Sequence, residues 1–233
     1  MTLINDFMSL IYPRHCEACG NGLFKHEAYI CNYCKLNLPK SNYHKNSQNE
    51  LSLTFAGRVP LVNSLCFYLF EKSGKVQKLL HAIKYQNQKE LAQFIGELYA
   101  QDLVKEKTLD DIDVIIPIPL HKNKLKLRGF NQSEWFAKGL AKVLEKPMEI
   151  SSFERKQETS TQTKKKKYQR WENVEGIFGV KDPAALINKH ILLVDDVITT
   201  GATIEAAWLA LKEVEGIEIS VISIAFAARK LGV

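Results

Sequence analysis

The sequence lacks the features of a membrane or secreted protein. Its longest apolar stretch, VISIAFAA at 221–228, has only eight residues, whereas a transmembrane helix needs ~18. The first residues, MTLINDFMSLIYP, place Asp6 inside the apolar run and have neither the basic start nor the small-residue cleavage site of a signal peptide. We therefore expect a cytoplasmic protein that does not insert into membranes.

Cysteine is scarce beyond residue 34, which excludes a disulfide framework spread over the chain. Four of the five cysteines form two C-x-x-C pairs, and they are Cys16, Cys19, Cys31 and Cys34. Such pairs in a reducing compartment indicate a zinc site, and four thiolates would leave no open coordination position, so the expected Zn²⁺ is structural. The alternative is a free-thiol or redox role. Cys66 lies in the apolar run SLCFYLF and is expected to be a buried small hydrophobe.

Length and composition predict an ordinary globular protein. The chain has 233 residues, of which 45% are hydrophobic and 25% charged, a balance typical of folded domains. At ~150 residues per domain, this length predicts one full domain and a small accessory module. The polar stretch 41–50 contains no aliphatic residue and is expected to be a linker, so we predict a module at 1–45 and a main domain at 46–233. The oligomeric state stays open.

Positive charge is concentrated in one segment. The net charge is +6, but residues 122–170 contain fourteen Lys or Arg and five Glu, a balance of +9. Such a segment can hold a polyanion such as pyrophosphate or single-stranded DNA, on whose bases Tyr168 and Trp171 could stack. The alternative, especially for the run 164–167, is a solvated lysine face.

Strand and helix patterns alternate along the main domain. Apolar positions at helical spacing predict helices over 74–86, 88–105, 133–146 and 202–214, whereas apolar runs predict strands near 59–70, 113–119, 148–153, 176–180, 190–196 and 217–226. This alternation predicts an α/β fold with a parallel sheet and helices on both faces. A polar loop of about 17 residues before 170 is expected to be a mobile active-site segment.

The segment ILLVDDVITTGAT at 191–203 is the most informative. It combines an apolar strand, two carboxylates and a small-residue turn that opens a helix. Free N–H groups and the positive end of a helix dipole can bind a phosphate monoester there. The turn consists of Thr199, Thr200, Gly201, Ala202 and Thr203. Gly201 permits close approach, the three threonines add hydroxyl donors, and the chain has no lysine-bearing phosphate loop.

Asp195 and Asp196 end the strand just before that turn. Ligands bind at the carboxyl ends of strands in open parallel sheets. Ionised carboxylates only accept hydrogen bonds, so the pair can hold two neighbouring ribose hydroxyls while the turn holds the 5′-phosphate. The alternative is a plain strand whose acidic residues cap a helix.

These motifs resemble a known family. The segment ILLVDDVITTGAT is similar to the phosphoribosyl pyrophosphate (PRPP) signature of type I phosphoribosyltransferases. Together with the four cysteines, RGFNQ at 128–132 and TQTKKKKYQRWENVEGIF at 161–178, it makes the chain similar to the ComF family of competence-associated proteins. The resemblance implies a type I phosphoribosyltransferase-like fold, PRPP and Mg²⁺ binding, a zinc module and a role in natural DNA uptake.

The resemblance also implies roles for cationic residues. Arg128 and Gly129 are similar to the loop that binds pyrophosphate, and Arg155 and Lys156 to the basic pair of a flexible catalytic loop. Lys84, within IKYQNQ, matches a lysine of ComF-like sequences. The alternative for these cations is ordinary surface charge.

The sequence is compatible with two functions. The first is an enzyme that transfers the phosphoribosyl group of PRPP to an unidentified nitrogen acceptor and releases pyrophosphate. The second is a module that senses PRPP or a nucleotide without turnover and binds single-stranded DNA through its basic segment. Other competence proteins are expected partners in either case.

Overall fold

A four-stranded parallel sheet forms the centre of the molecule. The computed structural model describes residues 13–156 and 176–228. The strands of the sheet are β1 (Ser64–Leu69), β2 (Val114–Pro117), β5 (His190–Ile198) and β6 (Glu218–Phe226). Their order is β1-β6-β5-β2, and every pair is parallel. Two further strands, β3 (Phe153–Arg155) and β4 (Phe178–Val180), form a separate antiparallel pair.

Helices cover both faces of the sheet. The described residues contain α1 (Asn32–Asn37), α2 (Glu50–Phe55), α3 (Lys75–Tyr85), α4 (Lys89–Glu106), α5 (Lys122–Arg128), α6 (Gln132–Leu144) and α7 (Ala202–Leu211). Alternating strand residues divide the apolar core in two. Leu192 and Val194 of β5 pack with α3, α4 and α6, whereas Ile191 and Leu193 pack with α2 and α7. The expected α/β fold, a parallel sheet between helical layers, is therefore confirmed.

Helices α4 and α6 cross at two glycines. A Cβ atom on Gly96 would lie 2.3 Å from the carbonyl oxygen of Phe136, and one on Gly139 would lie 2.0 Å from that of Gln93. Only glycine allows the two backbones to approach this closely. The crossing places the first turn of α6 beside the sheet.

Some elements differ from the sequence-based prediction. The strand expected near 148–153 contacts the parallel sheet only through a bridge between Met148 and Ile115. Its last residue, Phe153, begins β3, which pairs with the strand near 176–180 in the separate antiparallel sheet. Periodicity cannot tell which sheet a three-residue strand joins. Helices α2 and α5 are not predicted, because each has fewer than eight residues and no clear apolar face. The Ile118–Pro119 bond is trans, as are all peptide bonds in the two described ranges.

The cysteine-rich segment packs against the helical face of α3 and α4. Ile30 and Leu38 are buried in the same apolar cluster as Leu79 and Ile95. The stretch expected to be a linker also contacts the sheet, because the N–H of Ser41 donates to the carbonyl of Phe67 in β1. The module and the main domain therefore share one hydrophobic core.

Candidate functional site

The two carboxylates lie near the end of β5, in a network of polar side chains. The Asp195 carboxylate accepts hydrogen bonds from the N–H of Asp196 at 2.8 Å and from the hydroxyl of Ser133 at 3.3 Å. The ammonium of Lys84, on α3, lies 2.9 Å from Oδ2 of Asp196. Strand β5 and helices α3 and α6 therefore meet at this carboxylate pair.

The environment of Asp195 favours its protonated form. Burial, together with the neighbouring charge of Asp196, raises the pKa of Asp195 to about 7. The N–H of Asp196, the Lys84 ammonium and the Ser133 hydroxyl act in the opposite direction. A carboxyl group with this pKa changes charge near neutral pH, and a cation that binds beside it would favour the ionised form.

The turn at 199–203 joins this pair to a helix. Strand β5 ends at Ile198 and α7 begins at Ala202, so the turn presents the amino end of that helix beside the carboxylates. The hydroxyl of Thr200 accepts a long hydrogen bond, 3.4 Å, from the N–H of Ala202. Thr199 and Ala202 are exposed, while Thr200 and Thr203 are partly buried.

The turn requires a glycine at position 201, but the group that packs against this glycine is a side chain of the protein itself and not the expected phosphate. Its φ of +77° is in the left-handed region, which residues with a Cβ rarely adopt. A Cβ atom there would lie 2.5 Å from the ring of Phe55 on α2. What approaches the Cα of Gly201 is therefore an aromatic side chain, which packs against the turn.

The segment RGFNQS links α5 and α6 beside the carboxylates. Gly129 ends α5 with a φ of +77°, and Asn131 caps α6 by accepting from the N–H of Ser133. The guanidinium of Arg128 donates to the Gln132 side chain at 2.8 Å. Gln132 is 1% exposed, and its amide nitrogen has no hydrogen-bond partner within the described residues. This buried donor requires an acceptor.

The second basic pair lies on the smaller sheet. Arg155 is the last residue of β3, and its guanidinium stacks over the ring of Phe178 in β4, 5.2 Å from the ring centre. Lys156 follows, with its side chain against Gly179. The structure thus brings Lys84 and Ser133 to Asp195 and Asp196, and places Arg155 and Lys156 on a different sheet.

The sequence patterns assigned no role to three residues of the site, although Gln132 ends the RGFNQ motif. Ser133 and Gln132 acquire their contacts from the first turn of α6, and their position just after a predicted loop was the available signal. Arg58, which contacts the turn at Thr200, stands alone between α2 and β1 and has no local motif. Tyr168, Trp171 and the lysine run 164–167 lie outside the described residues, so the predicted DNA contacts stay predictions. The same holds for the predicted mobile loop and for most of the segment 161–178.

The four cysteines of the N-terminal segment form a cluster. The Sγ atoms of Cys16, Cys19, Cys31 and Cys34 all lie within 4.8 Å of one another. The sulfurs of Cys19 and Cys31 are 3.8 Å apart, and Zn–S bonds of about 2.3 Å in a tetrahedron require roughly this separation. The cluster fits a zinc ion held by four thiolates.

Backbone groups around the cluster favour thiolate. Burial by itself raises the pKa of Cys16, but N–H groups of Cys31, Cys19 and Ala18 lower the net pKa to about 7. The N–H of Cys31 lies 3.3 Å from that sulfur. The buried Glu27 accepts from the N–H groups of Phe24 and Asn32 at 2.8 and 2.6 Å, which holds the start of α1 next to Cys31.

A serine–histidine–aspartate arrangement at the opposite end of β5 is structural. His190 lies 2.9 Å from the hydroxyl of Ser220 and 3.1 Å from Asp111. Ser220 is fully buried and already accepts from the backbone and side-chain amides of Asn63. A serine without access to solvent cannot attack a substrate, so these contacts join β5, β6 and the preceding loops.

Within the described ranges, no helix is both long and apolar enough to cross a bilayer.

Comparison with protein families matches residues 131–232 to the phosphoribosyl transferase domain. The match includes the carboxylate pair, the turn at 199–203 and Ser133. It begins after the cysteine cluster, β1 and helices α1–α5.

Curated relatives have names connected with competence and with DNA utilization. The chain is 29% identical over 138 residues to the DNA utilization protein YhgH of Escherichia coli O157:H7, covering 58% of this chain and 60% of that protein. It is 38% identical over 100 residues to the competence protein ComFC of Bacillus subtilis, covering 43% and 38%. It is 29% identical over 147 residues to competence protein F of Haemophilus influenzae, covering 61% and 64%. The chain therefore spans less than two thirds of each relative's length.

Among solved structures, the chain is similar to the purine phosphoribosyltransferase from Pyrococcus horikoshii. The identity is 21% and the TM-score 0.32, covering 58% of this chain and 70% of that one. The family match covers the acidic strand end and the turn that follows it. Residues 131–232 form a phosphoribosyl transferase domain, the chain is similar to proteins named ComFC, competence protein F and YhgH, and it has a type I phosphoribosyltransferase-like fold.

Proposed function

We propose that the protein binds PRPP together with Mg²⁺ at the carboxyl end of β5. The observation that supports this most is the position of Asp195 and Asp196 near the end of β5, separated by two residues from the turn at 199–203, where α7 begins. A sugar phosphate needs hydroxyl acceptors and an anion site a few ångströms apart, and this segment offers both. The ammonium of Lys84 contacts Asp196, and the guanidinium of Arg128 contacts Gln132, which precedes Ser133 in α6.

Each part of the ligand has a matching group. Asp195 and Asp196 accept hydrogen bonds from the ribose hydroxyls, and the N–H and hydroxyl groups of residues 199–203 bind the 5′-phosphate. Arg128 faces the pyrophosphate, with its guanidinium oriented by Gln132. Mg²⁺, when bound, neutralises charge on the pyrophosphate oxygens, and carboxylate and hydroxyl oxygens are its preferred ligands.

We further propose that the site can transfer the phosphoribosyl group. A nitrogen nucleophile forms a bond to C1 of the ribose while the bond from C1 to the pyrophosphate oxygen breaks, and pyrophosphate leaves with that electron pair. Negative charge grows on the leaving group, so the residues that accelerate the reaction are cations: Arg128, Arg155 and Lys156. Arg155 is the last residue of β3, and Lys156 follows it at the edge of the segment 157–175. In the proposed reaction, both side chains approach the ligand when the site closes.

The four-cysteine cluster is proposed to bind a structural Zn²⁺. A segment of this size cannot build a core by itself and gains its fold from the metal. We assign it, with the residues up to 45, to an N-terminal module, and residues 46–233 to the phosphoribosyltransferase-like domain.

The cellular role we propose is in the uptake and use of DNA. The names of the curated relatives support it, since two are competence proteins and the third is a DNA utilization protein. Single-stranded DNA and other competence proteins are the proposed partners, and the balance of +9 over residues 122–170 favours a polyanion.

Calorimetry of PRPP with Mg²⁺ tests the binding site. The native chain should bind PRPP, and Asp196→Asn should weaken binding at least ~10-fold, because an amide cannot replace the charge of the carboxylate. Asp110→Asn, which changes an exposed carboxylate elsewhere, is the matched control and should bind as the native chain does. Equal affinity of the native chain and Asp196→Asn would contradict this site.

An assay for pyrophosphate release separates the two functions. Release that depends on Mg²⁺ and on an added nitrogen acceptor supports transfer. Tight PRPP binding with no release, together with salt-sensitive binding of single-stranded DNA, supports the sensing module instead.

A further inference from the structure

Arg58 contacts the proposed phosphate turn from outside the matched domain. It follows α2, and Nη1 of its guanidinium donates to the carbonyl of Thr200 at 3.1 Å and to that of Thr54 at 3.2 Å. Its Nη2 forms an ion pair with the Glu205 carboxylate. Arg58 is separated by 142 residues in sequence from Thr200, and it precedes the family match, which begins at 131.

Phe55, one turn earlier, contacts the same turn. Its ring lies where a Cβ of Gly201 would be, and it is 1% exposed. Phe55 and Arg58 thus hold the turn through an apolar contact and a charged contact. We call this pair, Phe55 and Arg58, the clamp.

Two groups near the turn oppose an anion. The Thr200 carbonyl is the negative end of a peptide dipole, and Glu205 is a carboxylate in the first turn of α7. An anion bound at the amino end of α7 would be repelled by both, since charges this close interact strongly when they are partly removed from water. The guanidinium of Arg58 contacts both of these groups, because it donates to the Thr200 carbonyl oxygen and pairs with the Glu205 carboxylate.

We propose that Arg58 is a positioning residue that makes the turn at 199–203 receptive to a phosphate dianion. It turns the Thr200 carbonyl toward the clamp, and it neutralises Glu205. The neighbouring N–H groups are then the polar groups that face the anion. The inference rests on the proposed function and adds to it, because it extends the 5′-phosphate site to a residue outside the phosphoribosyl transferase match.

Four variants test this inference: Arg58→Met, Arg58→Lys, Glu205→Gln and the double variant Arg58→Met with Glu205→Gln. Calorimetry with two probes, ribose 5-phosphate and PRPP with Mg²⁺, measures the affinity of each. Arg58→Met should weaken both probes ~10-fold or more, because it leaves the Glu205 carboxylate unneutralised beside the phosphate. Arg58→Lys should retain part of the affinity, since a lysine keeps the charge and loses the two-pronged geometry.

The double variant distinguishes positioning from a role in folding. Glu205→Gln alone should bind at least as tightly as the native chain. Adding it to Arg58→Met should restore most of the lost affinity, because the repelling charge is gone. A role limited to packing predicts the opposite, a double variant that binds no better than Arg58→Met. Lys78→Met, which removes one positive charge from the exposed side of α3, controls for net charge.

The outcomes separate this inference from the proposed function. If the native chain binds neither probe, both are overturned. If the native chain binds and Arg58→Met binds equally well, only the role of Arg58 is overturned. If Arg58→Met does not fold, Arg58→Lys and Glu205→Gln decide: full affinity in the lysine variant or a large loss in Glu205→Gln contradicts the inference.

Discussion

The ammonium of Lys84 on α3 lies 2.9 Å from the carboxylate of Asp196 on β5. This ion pair places a positive charge beside two acidic residues, and the same lysine lowers the pKa of Asp195 against the larger effect of burial. Asp195 therefore changes charge near neutral pH. Its protonation state determines whether Asp195 offers the proposed sugar ligand a negative charge and two accepting oxygens, or a neutral carboxyl group that also donates a hydrogen bond.

Lys84→Met should shift the pH dependence of PRPP binding upward. The pKa of Asp195 is about 7 with Lys84 present, so loss of the ammonium raises it further and leaves less carboxylate at pH 7. Affinity for PRPP with Mg²⁺ should fall at pH 7 by several-fold and recover partly at pH 9. Calorimetry between pH 6 and 9 measures this midpoint. Lys78→Met is the control, and a midpoint shared by the native chain and Lys84→Met would contradict the prediction.

Asp195→Asn should stabilise the ligand-free protein at alkaline pH. A carboxyl whose folded pKa of about 7 lies above its ordinary value of 3.8 binds more protons when folded. Folding stability therefore falls as pH rises from about 4 to about 7 and stays low above it. The asparagine keeps an acceptor for Ser133 without this cost.

The melting temperature measures this effect. Asp195→Asn should melt above the native chain at pH 8, with a smaller difference at pH 5, while PRPP binding is lost. Asp110→Asn should show no such trend. If Asp195→Asn were less stable than the native chain at pH 8, the buried charge of Asp195 would not destabilise the ligand-free protein, and the prediction would be wrong.

Gly139→Ala should destabilise the fold, although alanine is the better helix former. The added Cβ would lie 2.0 Å from the carbonyl oxygen of Gln93 and would force α4 and α6 apart. Overpacking of this kind costs about 1–3 kcal/mol, which outweighs the gain of roughly 1 kcal/mol in helix propensity. Urea unfolding measures it. Gly22→Ala, where no atom lies within 4 Å of the added carbon, is the control and should change the unfolding free energy little.

Removal of zinc should destabilise the whole protein. The cluster shares its apolar core with the helical face of the sheet through Ile30 and Leu38. Metal analysis should find one Zn²⁺ per native chain and much less in Cys34→Ala, and a strong chelator should lower the melting temperature of the native chain. Cys66→Ala changes a buried cysteine outside the cluster and should retain its zinc. Equal zinc content in both variants would contradict a four-cysteine site.

Much of the architecture could be predicted because its determinants are local. The spacing of apolar residues in α3 and α7 and the apolar runs of β5 and β6 follow from periodicity over a dozen residues. The two C-x-x-C pairs bring their sulfurs into one cluster, and DDVITTGAT places its carboxylates beside a helix start. In each case, neighbours in sequence are neighbours in space.

The tertiary structure decided what depends on distant segments. Phe153 and Phe178 stack at 5.1 Å in a separate antiparallel pair, whereas the alternation of strands and helices predicts a parallel sheet. Ser133 meets Asp195 across 62 residues, and Arg58 meets Thr200 across 142. A sequence pattern encodes the faces of single elements, whereas the pairing of faces depends on how all elements pack at once. The acidic strand end and its turn were therefore determined by the sequence itself, and the residues that surround and tune them were determined only by the fold.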